Sequence, residues 1–374
     1  MRRLSWRNLI HDKVRFGVTL TGVVFAVILV AIQVGLLVGF SRATSDIIHH
    51  SGADLWIRSK DVPYIEVGVV FSERKLYQAR AVPGVQWAEK FILQFIDWKR
   101  PDGSNEGGMV LGFNPDRPLG GPWNLTAGQI EDLKADDTII IDELYQEKLG
   151  VTHLGQVVEI NNRRAKVVGF TRGIRTFTTS PAIFTSFKNA LNYANFREDQ
   201  TQYILVKVAP GYDVEQVRRE LGLRIKDVDI STAAEFGQMT RDYWLFSTGA
   251  GVTVIVAAIL GLIVGVVVVA QTIYASTVDH LKEYGTLKAM GADNSYIYRV
   301  IIEQAVISAV IGYVLGISVS LFVVQVSQSG VTAIFMPWQV GLGLFVLTLM
   351  MCIGASIVSI KKVTQIDPAM VFKG

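Results

Sequence analysis

The sequence predicts a membrane α-helical protein with four transmembrane helices and a large extracytoplasmic α+β domain inserted between the first and second spans. Three observations predict it. Four apolar runs, over 17–40, 244–273, 299–326 and 338–360, each exceed the roughly 18 residues that mark a spanning helix. Only 18% of residues are charged, below the roughly 25% usual in soluble domains. The charge is also segregated: residues 41–243 hold twenty-five of the thirty-six Lys and Arg and twenty-seven of the thirty-three Asp and Glu.

Residues 1–16 are basic, with Arg2, Arg3, Arg7, Lys13 and Arg15 against Asp12 alone. Positive flanking charge favours the cytoplasm for this end. The run 17–40 that follows is interrupted only by Thr19, Thr21 and Gln33 among its polar residues. A cleaved signal peptide is the competing reading, but the run is long for one and no clean small-residue cleavage motif follows, so a retained anchor is expected.

In the charged region 41–243, residues 53–58 and 90–99 read as strands and 72–81 as a short helix stopped by Pro83-Gly84. Strands are expected at 108–113 and 138–141, then a helix over 142–149. Residues 156–160 and 165–170 alternate around a turn at Asn161-Asn162. The domain closes with strand 202–208, helix 213–221 and strand 225–230. A last helix, capped by Ser231 or Thr232, is expected to run from Ala233 unbroken into the second span, 244–273. Alternating strands and helices make this an α+β domain with room for two lobes.

With the N-terminus inside, four spans return the C-terminus inside. Residues 274–298 then form a cytoplasmic loop, 327–337 a short outer loop opened to the last span by Pro337-Trp338, and 361–374 a cytoplasmic tail beginning at Lys361-Lys362. Within the inner loop Leu281, Tyr284, Leu287, Lys288 and Met290 recur at spacings of three and four, so one face of a short helix can be apolar. Asp279, Lys282 and Glu283 take the other face, with Gly285 a weak point and Gly291 a stop. Such a helix suits docking in a partner's groove; a solvated connector between two spans is the plain alternative.

The net charge of +3 is too small to point to nucleic acid, and the single cysteine, Cys352, allows no intramolecular disulfide. No phosphate-cradling GxxxxGK[ST] motif occurs, so ATP hydrolysis by this chain is not expected. Carboxylates are almost missing from the spans, Glu303 excepted, which argues against an ion-coupled carrier and for an outside energy source. Gly35/Gly39, Gly261/Gly265 and Gly312/Gly316 are spaced for close helix packing, within the chain or across a dimer seam. His49-His50 is read as an interfacial pair rather than a metal site, because neighbours on a helix diverge by about 100°. No catalytic residues, metal ligands or bound cofactor are expected.

The chain resembles the MacB/FtsX/LolC-type permeases, the mechanotransmitting ABC transporters. The likeness rests on Trp6-Arg7-Asn8-Leu9 with Arg15 before the first span, on Lys282-Glu283-Tyr284-Gly285-Thr286-Leu287-Lys288-Ala289-Met290-Gly291-Ala292 with Glu303 beyond, and on the tail Ile366-Asp367-Pro368-Ala369. A narrower likeness, to DevC permeases of heterocyst-type exporters, rests on Phe25-Ala26-Val27-Ile28-Leu29, Gln33-Val34-Gly35, Leu76-Tyr77-Gln78 and Trp98-Lys99-Arg100-Pro101, with Val27 departing from the polar residue of that subgroup. The resemblance implies a non-catalytic inner-membrane permease that forms a homodimer. It implies a separate ATPase subunit that binds ATP and Mg²⁺, a periplasmic adaptor and an outer-membrane channel. It assigns ATPase coupling to Leu281, Glu283, Tyr284, Gly285, Leu287, Lys288, Met290 and Gly291. The cargo is left open, and a non-transporting regulator of an envelope enzyme or a membrane-anchored receptor stand as alternatives.

Overall fold

The computed structural model describes residues 13–178, 180–328, 330 and 334–364, so the two terminal motifs, Trp6-Arg7-Asn8-Leu9 and Ile366-Asp367-Pro368-Ala369, lie outside the described residues. Two compact units result. One takes the span residues up to Gly39, Thr253–Ser327 and those after the loop at 328–332; the other takes Phe40–Val252 with Gln328 and Gly330.

Among the described residues, the first unit takes most of four helices long and apolar enough to cross a membrane: Lys13–Ala43, Gly249–Asp279, Asn294–Ser327 and Trp338–Thr364. The first is the centre of the bundle. Its Val23, Ala26 and Val27 pack with Val269 and Ile273 of the second, Ala305 and Ala309 of the third, and Cys352 and Ala355 of the fourth. Farther along it, Val30 and Ala31 meet Leu344. Small side chains on the inner faces let the backbones approach, while large ones such as Phe25, Ile263, Phe322 and Val346 stay exposed on the outer faces.

The second unit is organised by β1 (Leu55–Ser59), β2 (Phe71–Ser72), β3 (Val85–Lys99), β4 (Asn105–Phe113), β5 (Leu125–Ala127), β6 (Thr138–Asp142), β7 (Val157–Ile160), β8 (Arg163–Thr171), β9 (Ala182–Ser186), β10 (Gln200–Thr201), β11 (Tyr203–Val208) and β12 (Val228–Thr232). The main sheet runs β12-β1-β11-β3-β4-β9-β6-β8-β5, with β7 pairing β3 and β8, and β2 pairs β10 apart from it. It is mixed: β4–β9 and β6–β8 are parallel, the other pairs antiparallel.

The long strand β3 explains why the domain suggested two lobes. Val85 to Phe91 pair with β11, whereas Ile92 to Lys99 pair with β4. Around the first half Ala88, Ile204 and Val206 receive Leu76 and Leu221 from helices Arg74–Arg80 and Val214–Arg224. Around the second half Ile92, Ile96 and Trp98 receive Phe187 and Leu191 of helix Phe187–Ala194. Against the opposite face of the sheet Trp56, Phe91, Tyr203 and Phe236 form a fully buried aromatic core with ring centroids 5.5–6.4 Å apart. Two lobes therefore share one strand.

The turn at Asn161-Asn162 is a two-residue hairpin with φ of 48° and 61°, left-handed values that asparagine tolerates. The helix expected over 142–149 is instead a 3₁₀ turn, Glu143–Tyr145, followed by one α-turn, Gln146–Leu149. Asp142 caps Leu144 at the start, and Gly150 at φ +67° ends it after two turns.

The expected unbroken helix into the second span is corrected by the structure. Helix Ala233–Asp242 starts at a Thr232/Glu235 capping box, passes into a π-turn, Tyr243–Ser247, and stops at Thr248, whose backbone is extended (φ −114°, ψ 150°). The span begins afresh at Gly249 rather than at residue 244. Thr248 holds both sides: its hydroxyl donates to the Trp244 carbonyl at 2.7 Å and accepts the Gly251 N–H at 3.2 Å. Helix-weak Gly249 and Gly251 adjoin the break, and a Cβ at Gly251 would strike the Trp244 and Leu245 carbonyls.

Candidate functional site

The helix between the second and third spans, Leu281–Ala289, is separated from its neighbours at both ends. His280 leaves helical geometry (φ −91°, ψ 9°), and its imidazole Nδ1 lies 2.7 Å from the Ser276 carbonyl. The other end is a Schellman motif: Gly291 N–H bonds the Lys288 carbonyl at 3.1 Å and Ala292 N–H the Leu287 carbonyl at 3.0 Å. Gly291 sits at φ +93°, a conformation only glycine adopts without strain. Asp293 then opens the third span; the Ser295 hydroxyl and the Asn294 N–H hold its carboxyl below the ordinary range.

Helical spacing divides the predicted coupling residues between two faces. Gly285 is buried, and Leu287 packs half-buried on Ile297, Val300 and Ile301 of the third span. Glu283 is exposed and Met290 is 72% exposed, while Lys288 is intermediate. Leu281 and Tyr284 have their backbones in the helix, and their side chains lie outside the described set. Glu283, Thr286 and Met290 fall on one edge, at spacings of three and four, and that edge is open. Beneath the kink, a cavity of about 30 Å³ is lined by Thr19, Ser276, Thr277, His280, Gln304 and Ser308, polar groups from three spans.

Two of the glycine pairs are seats for the first span. A Cβ on Gly261 or Gly265 would lie 2.8 Å from Gln33 or 2.9 Å from Val30, and one on Gly312 or Gly316 would lie 2.5 Å from Val23 or 2.7 Å from Val27. Gly35 meets Ile334, which precedes the fourth span; Gly39 is half-buried at the end of this unit.

In the second unit, the segment before the second span is gripped by rings and one carboxylate. Trp244 lies 4.0 Å from Phe177 and 5.3 Å from Tyr64, and Tyr64 stacks on Tyr243 at 4.0 Å. The Trp244 indole N–H donates to Glu66 Oε2 at 3.2 Å. Burial pushes the Glu66 carboxyl up to about 7, against the smaller lowering effect of that hydrogen bond. Sequence reading missed Glu66, Phe177 and Trp244, since they come from three distant segments and share no spacing. His49 and His50 diverge as expected for helix neighbours: His50 stacks on Trp123 at 4.3 Å, and His49 lies against Gly237. In a polar cleft beside β3 and the β7–β8 turn, Asn161 bonds the Asp97 N–H and the Tyr193 carbonyl, and Lys99 pairs with Glu159.

Four membrane-length helices with a large mixed-sheet domain between the first two define a multi-pass membrane protein. Residues 16–222 match the family of MacB-like periplasmic core domains, and residues 255–368 the FtsX-like permease C-terminal family. The chain therefore belongs to the MacB/FtsX family of ABC transporter permeases. It is similar, at 23% identity over the whole chain and 98% of the relative, to an uncharacterized ABC transporter permease of Mycobacterium tuberculosis. It is 25% identical to the macrolide export ATP-binding/permease protein MacB of Escherichia coli, over 53% of this chain and 31% of that one. The periplasmic region of MacB from Actinobacillus actinomycetemcomitans superposes with a TM-score of 0.40 at 14% identity, covering 50% of this chain and 93% of that one.

Proposed function

We propose that this permease works on a separate ATP-hydrolysing subunit gripped through helix Leu281–Ala289, and that it passes nucleotide-driven movement to the domain between its first two spans. One observation carries the reading: a short helix set off by a kink and a Schellman end, with Leu287 packed on the third span and the adjoining edge, Glu283 to Met290, exposed. In this reading that helix and both termini face the cytoplasm, the large domain lies outside, and ATP with Mg²⁺ binds the partner. Two permease copies pair with two ATPase copies. The movement drives export of a hydrophobic or lipid-like cargo, with a periplasmic adaptor and an outer-membrane channel completing the path. The break at Thr248 divides the lever, so motion passes through a jointed segment rather than one rod.

Met290→Asp is the discriminating variant, because Met290 is exposed whereas Leu287 also holds the helix to its own span. A carboxylate forced into an apolar contact should weaken capture of the ATPase by at least about tenfold and abolish its stimulation. Membrane insertion and melting should stay unchanged. Capture and stimulation equal to wild type would refute the handle; intact coupling with no ATP-dependent movement of any cargo would favour the regulator.

A further inference from the structure

The loop after β8 joins features that neither family likeness nor spacing assigns. Its root is Asp142, fully buried, whose carboxylate accepts the Thr171 hydroxyl at 2.9 Å and the Gly173 and Ile174 N–H groups at 3.2 and 2.8 Å. Ile174 is itself fully buried in the aromatic core. From that fixed root two side chains reach out. Arg175 donates through Nε to the Gly330 carbonyl at 3.1 Å and through Nη2 to the Gln328 carbonyl, just past the end of the third span. Phe177 meets the edge of Phe40, in the last turns of the first-span helix, at 6.0 Å, and Trp244, five residues before the second, at 4.0 Å. All these residues belong to the same compact unit.

We propose that residues 171–178 act as a yoke, with Arg175 and Phe177 as positioning residues that tie the chain segments flanking the first, second and third spans to one rigid point of the sheet. The chemistry at each contact fits a tie. Carbonyls at a helix C-terminus lack intrahelical donors and carry partial negative charge, so a guanidinium fork is a matched partner. Phe177 sits between two rings from different segments, so neither can shift without repacking it. A fully bonded buried carboxylate makes the root costly to move. With the helix before the second span broken at Thr248, these contacts give the domain a route to the flanking segments that does not depend on helix stiffness. The transmission role rests on the reading in the preceding subsection; the tie itself does not.

The test uses the full chain in nanodiscs, without and with its ATPase subunit. Without ATPase, hydrogen exchange should rise about tenfold in Arg175→Ala for peptides containing Gln328 and Gly330, and in Phe177→Leu for those spanning 243–247, while β6 and β8 keep their protection. Arg175→Lys, which retains charge but not the fork, should fall between. Unchanged exchange in both flanking segments would overturn the tie. With ATPase and nucleotide, spin labels replacing Asn294, exposed at the start of the third span next to the inner helix, and Tyr212 report the inner side and the domain separately. The double variant Arg175→Ala/Phe177→Leu should keep the response at 294 and lose the one at 212. A wild-type response at both sites would overturn the yoke's role, whereas an otherwise unsubstituted labelled chain silent at 294 would overturn the permease mechanism and leave the exchange result to judge the tie.

Discussion

Replacing Glu66 with Gln isolates the group that clasps the joint before the second span. Glu66 lies in a 3₁₀ turn, Ile65–Val67, pinned to the sheet by the Tyr203 hydroxyl donating to the Ile65 carbonyl at 2.7 Å. Its titratable neighbours are Tyr64 and Tyr203, both raised by burial above 10 and neutral through the range of interest. Because burial lifts the Glu66 carboxyl from 4.5 to about 7, the folded protein holds a proton that the unfolded chain releases. The stability this contributes is complete below pH 4.5 and is lost as pH rises through about 7. At 1.36 kcal/mol per pH unit the upper bound is about 3 kcal/mol, less whatever solvent reaches the partly exposed side chain. Glutamine stays neutral and keeps an oxygen for the Trp244 indole, so the variant should match wild type near pH 4.5 and exceed it at pH 8. The assay is thermal melting of the full chain at both pH values, read as the difference between variant and wild type so that other titrations cancel. At about 2–4 °C per kcal/mol for a domain of this size, the differential reaches about 6–12 °C at the bound. Parallel pH profiles for the two proteins, within about 1 °C, would refute the buried-acid argument.

Gly312→Leu drives a side chain into Val23, which is fully buried in the first span, and should cost about 1–3 kcal/mol or splay the two helices; unchanged detergent melting would count against the glycine seat. Asp142→Asn turns one acceptor oxygen into a donor, facing either the Gly173 and Leu144 N–H groups on Oδ1 or the Ile174 N–H on Oδ2, and should destabilise the domain by about 2–4 kcal/mol with faster exchange confined to the loop it roots; a denaturation midpoint equal to wild type would contradict that geometry.

The spans, the charged insert and the presence of a short helix ending at Gly291 were legible because each depends on local composition or period, whereas its separation from the second-span helix at His280 was not. A run of apolar residues has few fates, and a capping Thr232 with Glu235 three residues on names a helix start by itself. The strands β5 and β9 and helix Phe187–Ala194 escaped notice for the opposite reason. β5 is three residues long, and β9 is buried on both faces between β4 and β6, so it shows no alternation. The continuous helix into the second span was a wrong expectation because the residues 243–248 have no local breaker as strong as proline. The interruption comes from Thr248 bonding both ways and from the rings that seize Trp244.

Sequence alone determined how many times this chain can cross a bilayer, where its charged domain lies in the order, and which short helix sits between the second and third spans. Those properties follow from side-chain polarity read along the chain. The tertiary structure decided which face of that helix is left open, which glycines receive the first span, and that Glu66, Phe177 and Trp244 meet. The glycine seats and the meeting of Glu66, Phe177 and Trp244 depend on residues more than sixty positions apart, and the open face depends on how Leu287 packs on the next helix; no period or motif in a linear sequence encodes those.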